Sequence, residues 1–263
     1  MRGSVTSKRV YELRESLGER EWEIIGSLAR VRVATSSQLI DLHLSGVGLR
    51  RAQRILTALV QRRVLARLPR TIGGPSAGSL GHVYVLDVAG QRLADLADGG
   101  RVRRPWAMGT RFLAHSLAVT DVYVRLVRAE RAGSLRLARF AGEPASWRSF
   151  VTSGGGRAVL KPDAYAVVLV GGWEDHWFIE VDLDTEHVPA IASKCAVYRG
   201  YWQSGAEEAR TGVFPRVLWL VPDEPRAHVI REVIRRQPGD AIGLFDVALS
   251  RAAVGRIRRG AGS

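Results

Sequence analysis

Residues 160–186 read LKPDAYAVVLVGGWEDHWFIEVDLDTE, seven carboxylates and a single lysine in a chain of 263 residues with a formal net charge of +13. Gly171-Gly172 is a pair favoured in two-residue hairpin turns, with AYAVVLV before it and WFIEVDLD after it. Such a turn pairs Val170 with Trp173. Counting back from that pair sets Asp163 opposite Glu180 and Lys161 opposite Asp182. Side chains alternate along a strand, so Glu180, Asp182 and Asp184 share one side, and Ile179, Val181 and Leu183 share the other. AYAVVLV is apolar on both faces, the pattern of a buried strand. Carboxylates gathered this closely cannot all stay ionised unaided, and a divalent cation such as Mg²⁺ or Mn²⁺ favours their oxygens. Asp163, Glu180 and Asp182 are therefore the expected metal ligands. The alternative is an acidic, solvated sheet face, the role assigned to Asp184 and Glu186.

Outside this stretch the chain is basic. Residues 1–100 carry 15 basic and 9 acidic side chains and residues 101–156 carry 10 and 3, whereas residues 157–206 reverse the balance with 4 and 7. A sequence pI near 10.9 calls for a polyanionic partner, most simply double-stranded DNA. Only three lysines occur (Lys8, Lys161 and Lys194), against 36 arginines, and two of the three flank the acidic stretch. The single cysteine, Cys195, excludes an internal disulfide framework and a cysteine-based zinc site, and it is expected to be buried. No run approaches 18 apolar residues, and MRGSVTSKRV lacks the apolar segment of a signal peptide. A cytoplasmic protein without a membrane partner is expected.

Toward the amino terminus, residues 19–30 (EREWEIIGSLAR) place Trp22, Ile25 and Leu28 at helical spacing. A short second helix follows, capped by Ser36 or Ser37. In LRRAQRILTALVQ, a step of about 100° per residue puts Leu49, Ala52, Leu56, Leu59 and Val60 on one face and Arg50, Gln53, Arg54, Thr57 and Gln61 on the other. VLARLPR, a loose TIGGPSAGSLG and HVYVLDV read as two strands around a flexible tip. Three helices followed by a hairpin is the order of a winged helix-turn-helix, whose third helix enters the major groove. Arg50, Gln53, Arg54, Gln61 and Arg70 are the expected DNA contacts. The glycine-rich tip lacks the Lys-Ser/Thr of a phosphate loop, so no nucleotide site is assigned to it.

Beyond a basic Gly/Pro stretch near residue 101, the pattern is α-β-β-β-α-β-α-β, a mixed α/β domain around a central sheet. The segments are a 1–18 extension, a 19–100 winged-helix domain, a 101–250 second domain, and a 251–263 basic, mobile tail. His115 is read as a packed core histidine, and Asp121 and Glu143 as weak further acids. Tyr198 and Tyr201 raise a tyrosine-relaxase reading, which fails because the six histidines never form a His-x-His pair.

Pro-Asp on one strand and Glu-x-(Lys-like) on the next, framed by α-β-β-β-α-β, resembles the PD-(D/E)xK nuclease superfamily of restriction-endonuclease-like folds. With the winged helix, FLAHSLAVTDVYVRL, KPDAYAVV, FIEVDLDTE and KCAVYRGYW, residues 18–250 resemble the replication-relaxation family of plasmids and mobile elements. The resemblance implies an α+β protein of two domains, a winged helix followed by a nuclease-like α/β domain with a central mixed sheet. It assigns Asp163 and Glu180 to the two metal-binding acids. Asp182 departs from the pattern, standing where the superfamily keeps a lysine that activates water. Lys194, on a helix face with Tyr198 and Tyr201, and Lys161 are the candidate substitutes. The expected function is DNA binding in replication or relaxation, leaning toward a Mg²⁺- or Mn²⁺-dependent DNA endonuclease or nickase. The alternative is a non-enzymatic replication or transcription factor with a decayed nuclease scaffold. Other replication or transfer proteins, and a second copy in a homodimer, are the further expected partners.

Overall fold

A computed structural model describes residues 5–68, 81–98 and 110–260. The chain divides into two compact units, Met1–Val124 and Arg125–Ser263. The stretch near residue 101, where the composition suggests a boundary, lies outside the described residues.

The first unit holds α1 (Ser7–Ser16), α2 (Glu19–Val31), β1 (Ala34–Thr35), α3 (Ser36–Leu39), α4 (Leu49–Gln61), β2 (Leu65–Arg67), β3 (Val83–Leu86), α5 (Val88–Asp98) and the start of α6 (Thr110–Arg131). Residues 7–16 are no mere extension, because Val10 and Leu13 are buried in the same core as Ile24, Ile25 and Leu28 of α2. Thr35, not a serine, caps α3. Its hydroxyl accepts from the Gln38 N–H at 3.2 Å while Gln38 Oε1 accepts from the Thr35 N–H at 2.8 Å, a reciprocal capping box. On α4 the apolar stripe of Ala52, Leu56 and Leu59 is buried as the spacing predicts. Leu49 departs from it, 61% exposed at the first helical position, before the helix meets the core. The expected two strands gain a third, in the order β1-β3-β2. Gly90 lets α5 approach closely, since a Cβ there would lie 2.2 Å from the Val64 carbonyl oxygen.

The second unit is built on β4 (Arg136–Gly142), β7 (Ala164–Val170), β8 (Trp173–Val181), β9 (Arg216–Val221) and β10 (Phe245–Leu249). They form a mixed five-stranded sheet in the order β10-β9-β8-β7-β4. The hairpin is as read: Val170 pairs with Trp173 and Ala164 with Ile179, across Gly171 and Gly172 with φ of 57° and 89°. Positive φ at both turn residues is what a type I′ hairpin turn requires. β8 and β9 are parallel, as are β9 and β10. One face packs Tyr165, Phe178, Val217 and Trp219 against α7 (Val188–Gln203) and α9 (Glu224–Arg235) in a single core. Short α8 (Ala206–Thr211) and α10 (Gly239–Ile242) flank these helices.

Two features differ from the sequence reading. The stretch AVLKPDAYAVVLV is not one strand, because it breaks at Pro162, which has no N–H for a ladder. Its first part, β6 (Arg157–Leu160), pairs instead with β5 (Arg148–Val151) as a separate two-stranded sheet. Residues 253–260 are not a loose tail either. They form α11 (Ala253–Gly260), with Ala253 and Ile257 buried. Arg258 and Arg259 are exposed, Arg256 pairs with Asp246, and the buried Ala253 and Ile257 stand four positions apart.

Candidate functional site

The acids that open the sequence reading meet at one end of the sheet. Asp163 precedes the first residue of β7 and Glu180 is the penultimate residue of β8. The Ala164–Ile179 pairing, carried one step further, sets them side by side, and both are buried. Asp163 Oδ2 accepts from the Val181 N–H at 2.7 Å. The other contacts to Glu180 come from α7, whose Lys194 and Tyr198 stand one turn apart on one face. The Tyr198 hydroxyl donates to Glu180 Oε1 at 2.6 Å, and the Lys194 ammonium donates to Oε2 at 2.9 Å. Lys194 also donates to Glu186 Oε1 at 2.6 Å and lies 5.5 Å above the Trp219 ring.

Burial, and then the neighbouring Asp163, push the Glu180 carboxyl up to about 8, although Lys194 and Tyr198 pull it back. For Lys194, burial acts against the ammonium, but Glu180, Asp163 and the hydrogen bonds to Glu186 and Glu180 outweigh it and keep the group charged. The Tyr198 hydroxyl is raised well above the ordinary tyrosine range, first by burial and then by Glu180. Beside them, burial and then Glu180 push the Cys195 thiol up to about 12.

Two of the expected site residues lie elsewhere. Asp182 takes a bidentate bond from Arg226 of α9, at 3.1 Å from Nε and 2.7 Å from Nη2. Arg226 also donates to the Glu186 carbonyl at 2.6 Å and pairs with Asp184 at 3.2 Å. Among the described residues no group of three or more His, Cys, Asp or Glu is placed to hold a metal ion, so the acids that abut are the pair Asp163 and Glu180. Lys161 is not set against Asp182. Pro162 ends the strand before it, and its ammonium lies 4.8 Å over the Trp147 ring.

Glu186 and Arg226 are the residues the sequence reading misses. Glu186 reads as one more solvated acid, yet it is the second anchor of Lys194. Arg226 stands 44 residues from Asp182, and no spacing rule connects them. A further buried cluster is equally invisible in sequence. Glu207 accepts from Arg148 at 3.2 Å and also pairs with Arg210 and the Tyr201 hydroxyl.

The family model described as replication-relaxation matches residues 25–217. The chain belongs to the replication-relaxation family. Membership gives this replication-relaxation protein a replication-related role. No curated protein and no solved structure matches it. Among its described residues, no helix is long and apolar enough to cross a membrane.

In its first unit, Arg50, Gln53, Arg54 and Gln61 are all exposed on α4 and, with Thr57, line one open depression. Arg67 donates to the Thr57 hydroxyl at 2.8 Å, which ties β2 to this face. Arg70 lies outside the described residues. Of the weaker candidates, His115 is half-buried, Asp121 accepts from Gln38 at 2.7 Å, and Glu143 accepts from the Trp147 indole at 3.4 Å.

Proposed function

We propose that this replication-relaxation protein is a DNA-binding protein of a plasmid or other mobile element, and that its second unit hydrolyses a phosphodiester bond. The observation that carries this reading is the placement of Lys194. Its ammonium is 2.9 Å from Glu180, beside Asp163, so α7 supplies the positive charge that position 182 lacks. With a buried acid pair at the end of two antiparallel strands, this reproduces the chemical components of a PD-(D/E)xK site from a different element.

Two abutting buried carboxylates suit Mg²⁺ or Mn²⁺, which take one or two carboxylates together with waters and substrate phosphate rather than a full protein cage. Asp163 and Glu180 would hold the ion, and Asp182, tied to Arg226, would not. When bound, such an ion polarises a phosphoryl oxygen and lowers the pKa of water. The protein groups do the positioning. Lys194 holds positive charge against the attacking oxygen, Tyr198 fixes Glu180, and Glu186 fixes Lys194. Arg226 fixes the loop that carries Glu186.

The first unit would act as a winged helix-turn-helix, with α4 in the major groove of duplex DNA. Its arginines and glutamines are the side chains that read guanine and adenine edges or hold phosphates. One feature favours a second reading. Both Glu180 oxygens already have protein donors, as expected of a nuclease scaffold retained only for binding. A nicking assay on supercoiled plasmid separates the two. The nuclease reading expects Mg²⁺- or Mn²⁺-dependent nicks that vanish in Asp163→Ala and in Lys194→Ala while DNA binding persists. A folded protein that binds the plasmid and never cuts it with either metal leaves the binding scaffold.

A further inference from the structure

The two-stranded sheet of β5 and β6 has an inner and an outer face. Arg148 pairs with Leu160 and Phe150 with Ala158, and Phe150 and Leu160 are buried in the core of the second unit. The alternate residues make the outer face. Val151 pairs with Arg157 and Ser149 with Val159, all of them exposed. One step beyond the last pair, Trp147 and Lys161 stand across from each other, with the ammonium 4.8 Å over the indole ring. Trp147 is 39% exposed, Val151 59% and Val159 44%, more apolar surface than a solvated hairpin needs.

The outer face itself carries two cations, Arg157 and Lys161. Arg148 turns inward to Glu207 and Glu143 accepts from the Trp147 indole at 3.4 Å, while residues 145–161 themselves contain no acid. The acids begin two residues later, at Asp163. The Ser146 hydroxyl donates to the Pro162 carbonyl at 2.6 Å, so the start of the hairpin is fastened to the residue that precedes Asp163. An exposed aromatic ring, an exposed lysine and β-branched side chains on a short sheet match a surface that stacks unpaired bases and holds their phosphates.

We propose that the outer face of β5 and β6 binds single-stranded DNA and leads an unpaired strand toward Asp163 and Glu180. A base takes the place of the ammonium over Trp147, and Lys161 moves to that nucleotide's phosphate. Lys161 is thus a binding residue and not a substitute for the missing catalytic lysine. The proposal deepens the DNA-acting reading and rests on it. It narrows the substrate of the second unit to a melted or single-stranded segment, such as arises where a duplex opens for replication.

The test uses the full chain with a chelator present, so that cleavage plays no part. Fluorescence anisotropy compares a labelled 15-nucleotide oligothymidine with a blunt duplex of the same length. Trp147→Ala should weaken single-strand binding roughly 10-fold or more, since one stacked base is worth about that much, and Trp147→Phe should recover most of it. Lys161→Ala should reduce the slope of log affinity against log salt by about 0.7, the value of one single-strand phosphate contact. Duplex affinity should stay within about 3-fold in all three variants. Arg50→Ala with Arg54→Ala should do the reverse, losing duplex and keeping single-strand binding. Three results would overturn the proposal: no single-strand binding by the wild type, equal losses on duplex and single strand in Trp147→Ala, or unchanged single-strand affinity in a folded Trp147→Ala protein. The last result would leave the hairpin face as a protein-docking surface. Failure of the cleavage reading alone would leave these binding differences in place.

Discussion

At the scale of single residues, the carboxylates at 163, 180 and 182 look alike in sequence and have three different fates. Asp182 is buried in a two-pronged bond with Arg226, and removing one partner of such a pair strands the other charge in a poor solvent. Arg226→Ala is therefore expected to cost about 3–5 kcal/mol, read as a lowered urea midpoint at unchanged slope. Arg226→Lys should recover little, because one ammonium cannot serve Asp182 twice and the Glu186 carbonyl as well. Glu180 is held protonated further up the pH scale, to about 8. Its folded-state pKa is raised above the unfolded one, and burial disfavours its ionised form. Between the unfolded value near 4.5 and 8 the native state keeps a proton that the unfolded chain has released. Stability from this group is thus fully present below pH 4.5 and falls as pH rises toward 8. With a chelator present, the wild type should lose about 2 kcal/mol or more between pH 5 and 8 relative to Glu180→Gln, or roughly 5 °C in melting temperature. Parallel curves for the two proteins would show that Lys194 keeps Glu180 ionised throughout.

At the scale of elements, legibility followed range. The β7–β8 hairpin was readable because its register depends on two adjacent glycines and a period of two, both local. α4 was readable because Ala52, Leu56 and Leu59 recur at helical spacing. The β5–β6 pair was not, since whether RAVL continues into DAYAVV turns on Pro162 and on a partner strand that itself carries a charge, Arg148, on its inner face. The Asp182–Arg226 and Glu207–Arg148 pairs were hidden for the same reason: tertiary contacts over 44 and 59 residues leave no periodic trace. α11 was masked by composition. RAAVGRIRRGAGS looks like a solvated basic tail, but Ile257 is fully buried, and a Cβ at Gly260 would come within 2.3 Å of the Trp177 ring. Ile257→Ala should cost about 2–5 kcal/mol, and deletion of residues 253–263 should lower the melting temperature. An unchanged transition after that deletion would return the segment to the status of an appendage.

At the scale of the whole molecule, the charge map sets two expectations. On the DNA-binding function proposed above, a net charge of +13 should give binding a steep salt dependence. Arg50→Ala with Arg54→Ala should weaken duplex binding roughly 10-fold or more and flatten that dependence, as measured by gel shift across a salt series. The acid pair should respond oppositely to cations. Mg²⁺ or Mn²⁺ should raise the melting temperature through binding to the native state alone, and Asp163→Ala should abolish the rise. Identical transitions in metal and in chelator would mean that Lys194 already neutralises the pair.

Cys195, the single thiol in the chain, sits on α7 between the lysine and the tyrosine that hold Glu180, and it is fully buried. A maleimide or iodoacetamide reagent can reach it only when α7 lifts from the sheet, and even then most of the sulfur is protonated. The rate of alkylation in native buffer therefore clocks the opening of the one helix on which the proposed chemistry depends. Nothing need be engineered to read it, and the same clock can be run with metal, with oligonucleotide, or with both.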